Sequence, residues 1–498
     1  MEQLKRLVGD TAIYGVSSIL GRLLNWLLVP LYVRYYSPGE YALVVELFAY
    51  LALFNVLFTF GFETAYFRFT SNQKESNERY FDLAVSSIMV NCLLLGGGLV
   101  YFADQIASLL LYEGKGYLII WCAFILSFDA IAAIPFARLR LRRQGKRFAT
   151  YKLINICLNI MLNLFFIVYL PSHIAQNPQS MLSAFYFPSL GVGYVFLSYL
   201  IANATYLLIF YGDFRKVTYR ISLKMIRPLL AYSAPLVVLQ LAGMINEMFS
   251  RQSLKYILPR GFYPGFTNAD ILGIFGACFK LSIFMTLAVQ AYKFAFEPFF
   301  FSNSKEPNSK ELYAKAMNGF IIFGGLSWMS ISLVLPELAL VIFGKSSPYL
   351  QGLQIVPVLL GAGLLMGIFY NLSVWYKLTD RTLSGAVISI IGAIITIVLN
   401  VVLIPVIGFM GSAWASLVSW LLMSLLSYFM GRKYYPINYD LPKAAFYLIY
   451  AAVASLVIVN SIDSIGSRYL LGIGFLIVYL SVVYWLEMRG QQKELDNG

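Results

Sequence analysis

Histidine is almost missing from this chain: one residue, His173, in 498. His-based catalysis and His-rich metal sites are therefore not expected. Cysteine is scarce too. The four cysteines, Cys92, Cys122, Cys157 and Cys278, each sit in an apolar run, which argues against a disulfide framework or a metal cluster. Charged residues make up only 12% of the chain, against about 25% in soluble domains. Long polar connections are lacking as well. The longest, 251–269, is too short for a folded domain outside a membrane. No cleavable leader is expected, because the first apolar run carries Arg22 and no small-residue cleavage site follows it.

What is abundant is apolar. Hydrophobic residues are 59% of the chain, aromatics 16%, and the mean hydropathy is +0.72. This excludes a water-soluble globule, and the aromatic content excludes disorder. A transmembrane β-barrel would alternate polar and apolar over segments of about ten residues. Here the runs are unbroken for roughly twenty, the length a helix needs to cross hydrocarbon. The fold class is all-α, a polytopic membrane protein of about 14 helices. The segments are 11–34, 41–66, 81–107, 116–138, 150–171, 185–212, 227–250, 270–299, 316–344, 350–376, 384–405, 410–431, 443–462 and 466–488.

The net charge of +13 invites a nucleic-acid reading. Its distribution favours the positive-inside rule instead. Lysine and arginine crowd alternate connections, most densely from Arg138 to Lys152 and from Arg215 to Arg227. The opposite connections hold only Arg34, Lys115, Arg251, Lys255, Arg260, Lys345 and Arg468. Both termini are thus expected in the cytoplasm. The run Arg138-Leu-Arg-Leu-Arg-Arg143 reads as topogenic, with anionic lipid contact as a second role.

The chain repeats itself. Phe60-Gly-Phe-Glu63 matches Phe294-Ala-Phe-Glu297, and Tyr41 and Phe275 share the same offset of 234. Gly193 and Gly411, and Ser198 and Ser416, share an offset of 218. Six helices per copy is an even number, so both copies insert the same way up, as in parallel-repeat transporters. The expected domains are a first lobe over 1–212, a second over 213–432, and two further helices with a tail over 433–498.

Ionisable groups in hydrocarbon are costly and mark function or tight pairing. Ser18, Arg22 and Asn25 share one helical face, with Tyr14 a turn earlier. They read as lining a polar cavity, with a structural hydrogen-bond network as the alternative. Asn55, Thr59 and Glu63 share a face of the next segment, and Thr286, Gln290, Lys293 and Glu297 share one in the other copy. Lys293 and Glu297 are one turn apart, so mutual neutralisation and snorkelling stay open for that pair. The repeat equivalent of Arg22 is Gln240, on a face with Gly243 and Glu247. Asp129, just before Pro135, and Glu247 are candidates for ion coupling, with structural pairing equally open for Asp129. Glu46 and Lys280 occupy equivalent points of opposite charge and are candidates for closing an outer gate. Gly344-Lys345-Ser346 imitates the end of a P-loop, but Ala339 stands where its first glycine belongs.

Several motifs carry a family resemblance. Gly21-Arg22-Leu23, Val29-Pro30-Leu31-Tyr32, Tyr36-Ser37-Pro38-Gly39-Glu40-Tyr41, Gly61-Phe62-Glu63-Thr64-Ala65 and Arg68-Phe69 come first. Tyr232-Ser-Ala-Pro235, Lys280 and Phe296-Glu297-Pro298 follow in the second half. Together they resemble bacterial polysaccharide exporters, the O-antigen-type flippases of the multidrug/oligosaccharidyl-lipid/polysaccharide exporter superfamily. The resemblance implies a MATE-like fold of two six-helix lobes that alternate access to a central cavity. It implies a substrate made of an oligosaccharide on undecaprenyl diphosphate, and a bacterial cytoplasmic membrane location. Arg22 matches a cavity cation of such flippases by motif position. The chain departs from the family at Phe249-Ser250-Arg251, where an acid–Arg pair keeps only its arginine.

The substrate-binding candidates are then Arg22, Asn25, Asn55, Glu63, Gln240, Lys280, Gln290, Lys293 and Glu297. No cofactor or resident metal is expected, and no enzyme activity. H+ coupling, Na+ coupling and the membrane potential remain open as drivers. Expected partners are the lipid-linked oligosaccharide, membrane lipids and other polysaccharide-assembly membrane proteins, not nucleic acid. A cation-coupled drug or small-solute exporter is the nearest rival. A membrane glycan polymerase or ligase, or a non-transporting scaffold, stands further off.

Overall fold

A computed structural model describes residues 19–70, 77–219, 221–302, 306, 308–379, 381–460 and 465–496. Among them the regular structure is helical, without strands. Eleven helices are long and apolar enough to cross a membrane, and two bent pairs raise the count to 13. These thirteen coincide with the expected segments from the second onward. The first, 11–34, lies partly outside the described residues. Its described part includes the helix Leu28–Tyr35. Helices suit such a chain because hydrocarbon offers no partner for a free N–H or C=O.

Local chemistry explains the departures. The segment expected as one helix over 185–212 is bent by 118° between Met181–Leu190 and Gly193–Ile209. Pro188 removes a donor there, and Gly191 takes a positive φ of 45° that ends the preceding turn. The second bent pair, Asn268–Leu281 and Ile283–Lys293, turns by 44°. The long connection at 251–269 shortens because the helix Leu223–Ile257 runs on through Arg251, Gln252 and Lys255. The span Gly145–Gln176 carries a π-helical stretch at Leu164–Tyr169, a wide turn often found at functional positions.

The chain divides into two compact units. One holds Leu43–Met244 and the described residues up to Tyr36. The other holds Ser37–Ala42 and the residues from Ile245 onward. The division falls inside the long helix Leu223–Ile257. In the first unit, Gly116–Leu141 packs against Asn77–Tyr101 on one side and Gly193–Ile209 on the other. Gly193–Ile209 in turn packs on Gly145–Asn163.

In the second unit, Ile355–Leu378 is the most enclosed span, packed against Phe409–Tyr434, which also holds Thr382–Ile407. Ser37–Ala42 joins this unit through a glycine. A Cβ on Gly273 would stand 1.9 Å from the carbonyl oxygen of Pro38, so only glycine lets the two backbones touch. The last two helices, Leu441–Asn460 and Ile465–Asp496, are fastened to Ser309–Phe343. Arg468, almost fully buried, pairs with Glu337, and the Tyr479 hydroxyl donates to the Ile322 carbonyl at 3.2 Å. At their other end Tyr447 donates to Glu487 at 2.9 Å.

Candidate functional site

In the first unit one helix face is built of amides. Asn155, Asn159 and Asn163 recur every fourth residue and so stack along one side of Gly145–Asn163. All three are buried. Asn163 donates to the Asn159 carbonyl at 2.8 Å and accepts from the Tyr32 hydroxyl at 2.9 Å. Asn155 donates to Asn203 Oδ1 at 3.1 Å. Asn203 Nδ2 is buried without a hydrogen-bond partner, and Asp129 faces it.

Charge continues this line. Lys152 lies on the same helix, close to one turn before Asn155. Its ammonium sits 4.3 Å from the Phe136 ring centroid and 5.0 Å from that of Tyr206. Those ring faces partly replace water around the cation. Its charge interacts most with Asp129, then with Glu63 and Arg140. Glu63 and Arg140 form an ion pair. The result is a polar column through an apolar bundle, running from Glu63 and Arg140 by way of Lys152 and Asp129 to Asn155, Asn159, Asn163 and Tyr32.

The column ends in the basic run, whose reading as topogenic needs enlarging. Arg138 reaches Glu78 at 2.5 Å and Asp213 at 3.3 Å, and Arg142 reaches Glu78 at 2.8 Å. With Arg140 on Glu63, three arginines of the run clamp carboxylates from other helices. Sequence could not pair them, because the partners are 60 to 77 residues away.

The second unit gathers two cations. Lys280 and Arg251 lie close enough for their charges to interact, and Arg251 also feels Glu247 and Tyr41. The Arg251 guanidinium stands 4.3 Å from the Phe279 ring centroid. Its Nε is buried without a hydrogen-bond partner, as are both amide atoms of Gln252. Next to Arg251 in sequence, Ser250 begins a neutral network. Asn400 donates to Ser250 Oγ at 3.0 Å and to the Thr396 carbonyl at 2.7 Å. Thr396 donates to Asn246 Oδ1 at 3.0 Å, and Ser416 donates to Ser250 Oγ at 3.0 Å. Ser412 donates to the Ser250 carbonyl, and Ser253 to Asn400 Oδ1 at 3.4 Å.

The other expected residues are scattered. Arg22, Asn25, Gln240, Glu247 and Lys293 are exposed on their helices. Asn55 and Gln290 each bury a side-chain oxygen without a hydrogen-bond partner. Glu46 is fully buried and accepts from Tyr112 at 2.6 Å and from Tyr50 at 3.4 Å. Tyr14 and Ser18, and the side chain of Glu297, lie outside the described residues. Lys152 and the asparagine ladder were missed, and Arg251 was noted only as the arginine kept from the family's acid–Arg pair. The ladder had a readable signal, three asparagines at four-residue spacing within an apolar run.

Comparison with solved structures defines the class first. The chain shares its fold with solved structures of a lipid II flippase and of a MATE family transporter. It superposes on the lipid II flippase MurJ in an inward closed conformation with a TM-score of 0.72. That match has 14% identity and covers 96% of this chain and all of the other. An inward-facing multidrug-resistance MATE family transporter matches with a TM-score of 0.62, again at 14% identity. It covers 83% of this chain and 94% of the other. No curated protein sequence matches. The family model described as "Polysaccharide biosynthesis protein" matches residues 7–292, more than half of the chain, and the chain belongs to that family.

Proposed function

We propose that the protein is a flippase. It moves an oligosaccharide carried on undecaprenyl diphosphate across the bacterial cytoplasmic membrane, for cell-surface polysaccharide of the O-antigen or capsule type. The observation that carries this reading is the polysaccharide-biosynthesis family match on a chain with a transporter fold. Making a polysaccharide outside a cell from precursors built inside requires that the lipid-linked precursor cross the bilayer.

The physical difficulty is the diphosphate, whose charge hydrocarbon excludes. Cations held in the protein offset that cost, and arginine offers phosphate a planar pair of donors. Arg22, Lys280 and Arg251 are the candidates for this work. The sugar-diphosphate head crosses by alternating access while the lipid tail stays in the bilayer. With both termini in the cytoplasm, a negative-inside potential favours outward movement of negative charge by about 2.3 kcal/mol per charge per 100 mV. Asp129 is the candidate for H+ or Na+ coupling.

A second reading, a cation-coupled small-solute exporter, is favoured by the MATE match and by the carboxylate of Asp129 beside Lys152. Deletion of the gene in its host separates the two. The flippase reading expects a surface glycan to vanish and its lipid-linked precursor to accumulate on the cytoplasmic face. Normal glycan with increased drug sensitivity supports the exporter. Export of single repeat units without long chains supports a polymerase.

A further inference from the structure

The connection after the span Gly145–Gln176 is made of residues that water does not favour. No Asp, Glu, Lys or Arg occurs between Lys152 and Asp213. The connection carries Met181, Phe185, Tyr186 and Phe187 instead. Met181 is 92% exposed, Phe185 64% and Phe187 55%. Large apolar side chains gathered outside a core mark a surface that meets a membrane or a partner.

Two short 3-10 turns, Met181–Phe185 and Pro188–Leu190, build the segment. It leaves the axis of Gly193–Ile209 at 118°. Gly193–Ile209 has 17 residues, about 25 Å of helix, and so crosses most of a hydrocarbon core of about 30 Å by itself. The bent piece is not needed for crossing, and its angle lays it nearer the membrane plane than the membrane normal.

Its backbone is held from the protein side. Ser180 accepts from the Leu182 N–H at 3.3 Å, and the His173 ring nitrogen lies 3.2 Å from the same hydroxyl. The Phe187 N–H donates to the Tyr194 hydroxyl at 2.6 Å, and the Tyr186 ring stacks on that of Tyr194 with centroids 6.2 Å apart. Tyr36 donates to the Gly191 carbonyl at 3.3 Å. These contacts fix the segment and leave the side chains of Met181, Phe185 and Phe187 uncovered.

We propose that Met181–Leu190 anchors the first unit to the membrane surface, in the leaflet remote from the basic run Arg138–Arg143. Met181, Phe185 and Phe187 dip into the boundary between headgroups and acyl chains. The leaflet follows from the chain, because the basic run precedes one end of Gly145–Gln176 and the segment follows the other. Lipid is favoured over a protein partner because the segment continues an apolar surface, with Met161, Leu164 and Tyr169 exposed along the preceding span. Lacking charge, the anchor takes zwitterionic and anionic lipid alike, unlike a basic amphipathic helix. The inference does not depend on what the protein transports.

The test places a nitroxide at Met181→Cys or Phe185→Cys in the full-length Cys157→Ser protein, reconstituted in phosphatidylcholine nanodiscs. Collision with oxygen, which favours lipid, is compared with collision with a water-soluble nickel chelate. Both labels are expected about 5–10 Å into the headgroup–acyl boundary. A label at Lys146→Cys, in the basic connection, is expected to favour the nickel chelate. Exchanging the lipid for phosphatidylglycerol, or raising the salt, is expected to leave both depths unchanged. Phe185→Ser/Phe187→Ser keeps the backbone bond to Tyr194 and is expected to move the Met181 label toward water. Should that variant not fold, the depths of the single labels decide alone. Labels at Met181 and Phe185 that favour the nickel chelate overturn the proposal, as do depths that require anionic lipid. Nickel access in nanodiscs with protection from both probes in host membranes also overturns it, and assigns the surface to a protein partner.

Discussion

Each unit carries one extended polar network, and the two networks differ in chemistry. That of the first unit contains titratable side chains, with Lys152, Asp129, Glu63 and Arg140 in one column beside the asparagine ladder. The second threads neutral groups, Asn246, Ser250, Thr396, Asn400, Ser412 and Ser416, into a network of short hydrogen bonds. A neutral network holds helices in register at modest gain, about 0.6 kcal/mol per bond in membranes. A buried ion pair gains little net stability, yet losing one member is expensive because the other charge is stranded. The first network contains titratable groups, Asp129 and Lys152 among them. The neutral network has no such group.

The comparison breaks most sharply at Asp129. Asp129→Asn removes the carboxyl whose charge interacts most with Lys152 and is expected to destabilise the protein by about 2–3 kcal/mol, read by unfolding in detergent. Asp129→Asn/Lys152→Met should recover most of that loss. If Asp129 couples transport to an ion, the double variant stays folded and loses the dependence of transport on the ion gradient. Next in size, Asn400→Leu removes the donor to Ser250 and to the Thr396 carbonyl and should cost about 1–2 kcal/mol. Glu63→Gln frees a partly exposed Arg140 and should cost about 1 kcal/mol, less in high salt. Thr396→Val removes one neutral bond and should cost about 0.6 kcal/mol with no effect on the pH or ion dependence of transport. Comparable losses at Asp129 and Thr396 would erase the distinction between the units.

Most of the fold was legible because a bilayer imposes its length on the sequence. Thirteen expected segments meet a span or a bent pair. The breaks were less legible, since Pro188 and Gly191 sit in an apolar stretch that hydropathy alone reads as continuous. Within the candidate sites, charge was easy to see and pairing was not. Asp129 stood out as a carboxylate in an apolar run. Lys152 was read as part of a basic connection, because its solvation by Phe136 and Tyr206 comes from other helices. The serines and asparagines of the second unit carry no charge and raise no signal in hydropathy. Their partners lie 143 to 166 residues away.

Movement of a lipid-linked anionic glycan is tested most directly by reconstitution. Purified protein is placed in liposomes holding undecaprenyl-diphosphate oligosaccharide, and a lectin added outside reports the exposed sugar over time. Fast transbilayer exchange is expected with the wild-type protein, and at least about tenfold slower exchange with Lys280→Ala/Arg251→Ala. Exchange no faster than in protein-free liposomes, or equal rates in the wild type and the double variant, would contradict it.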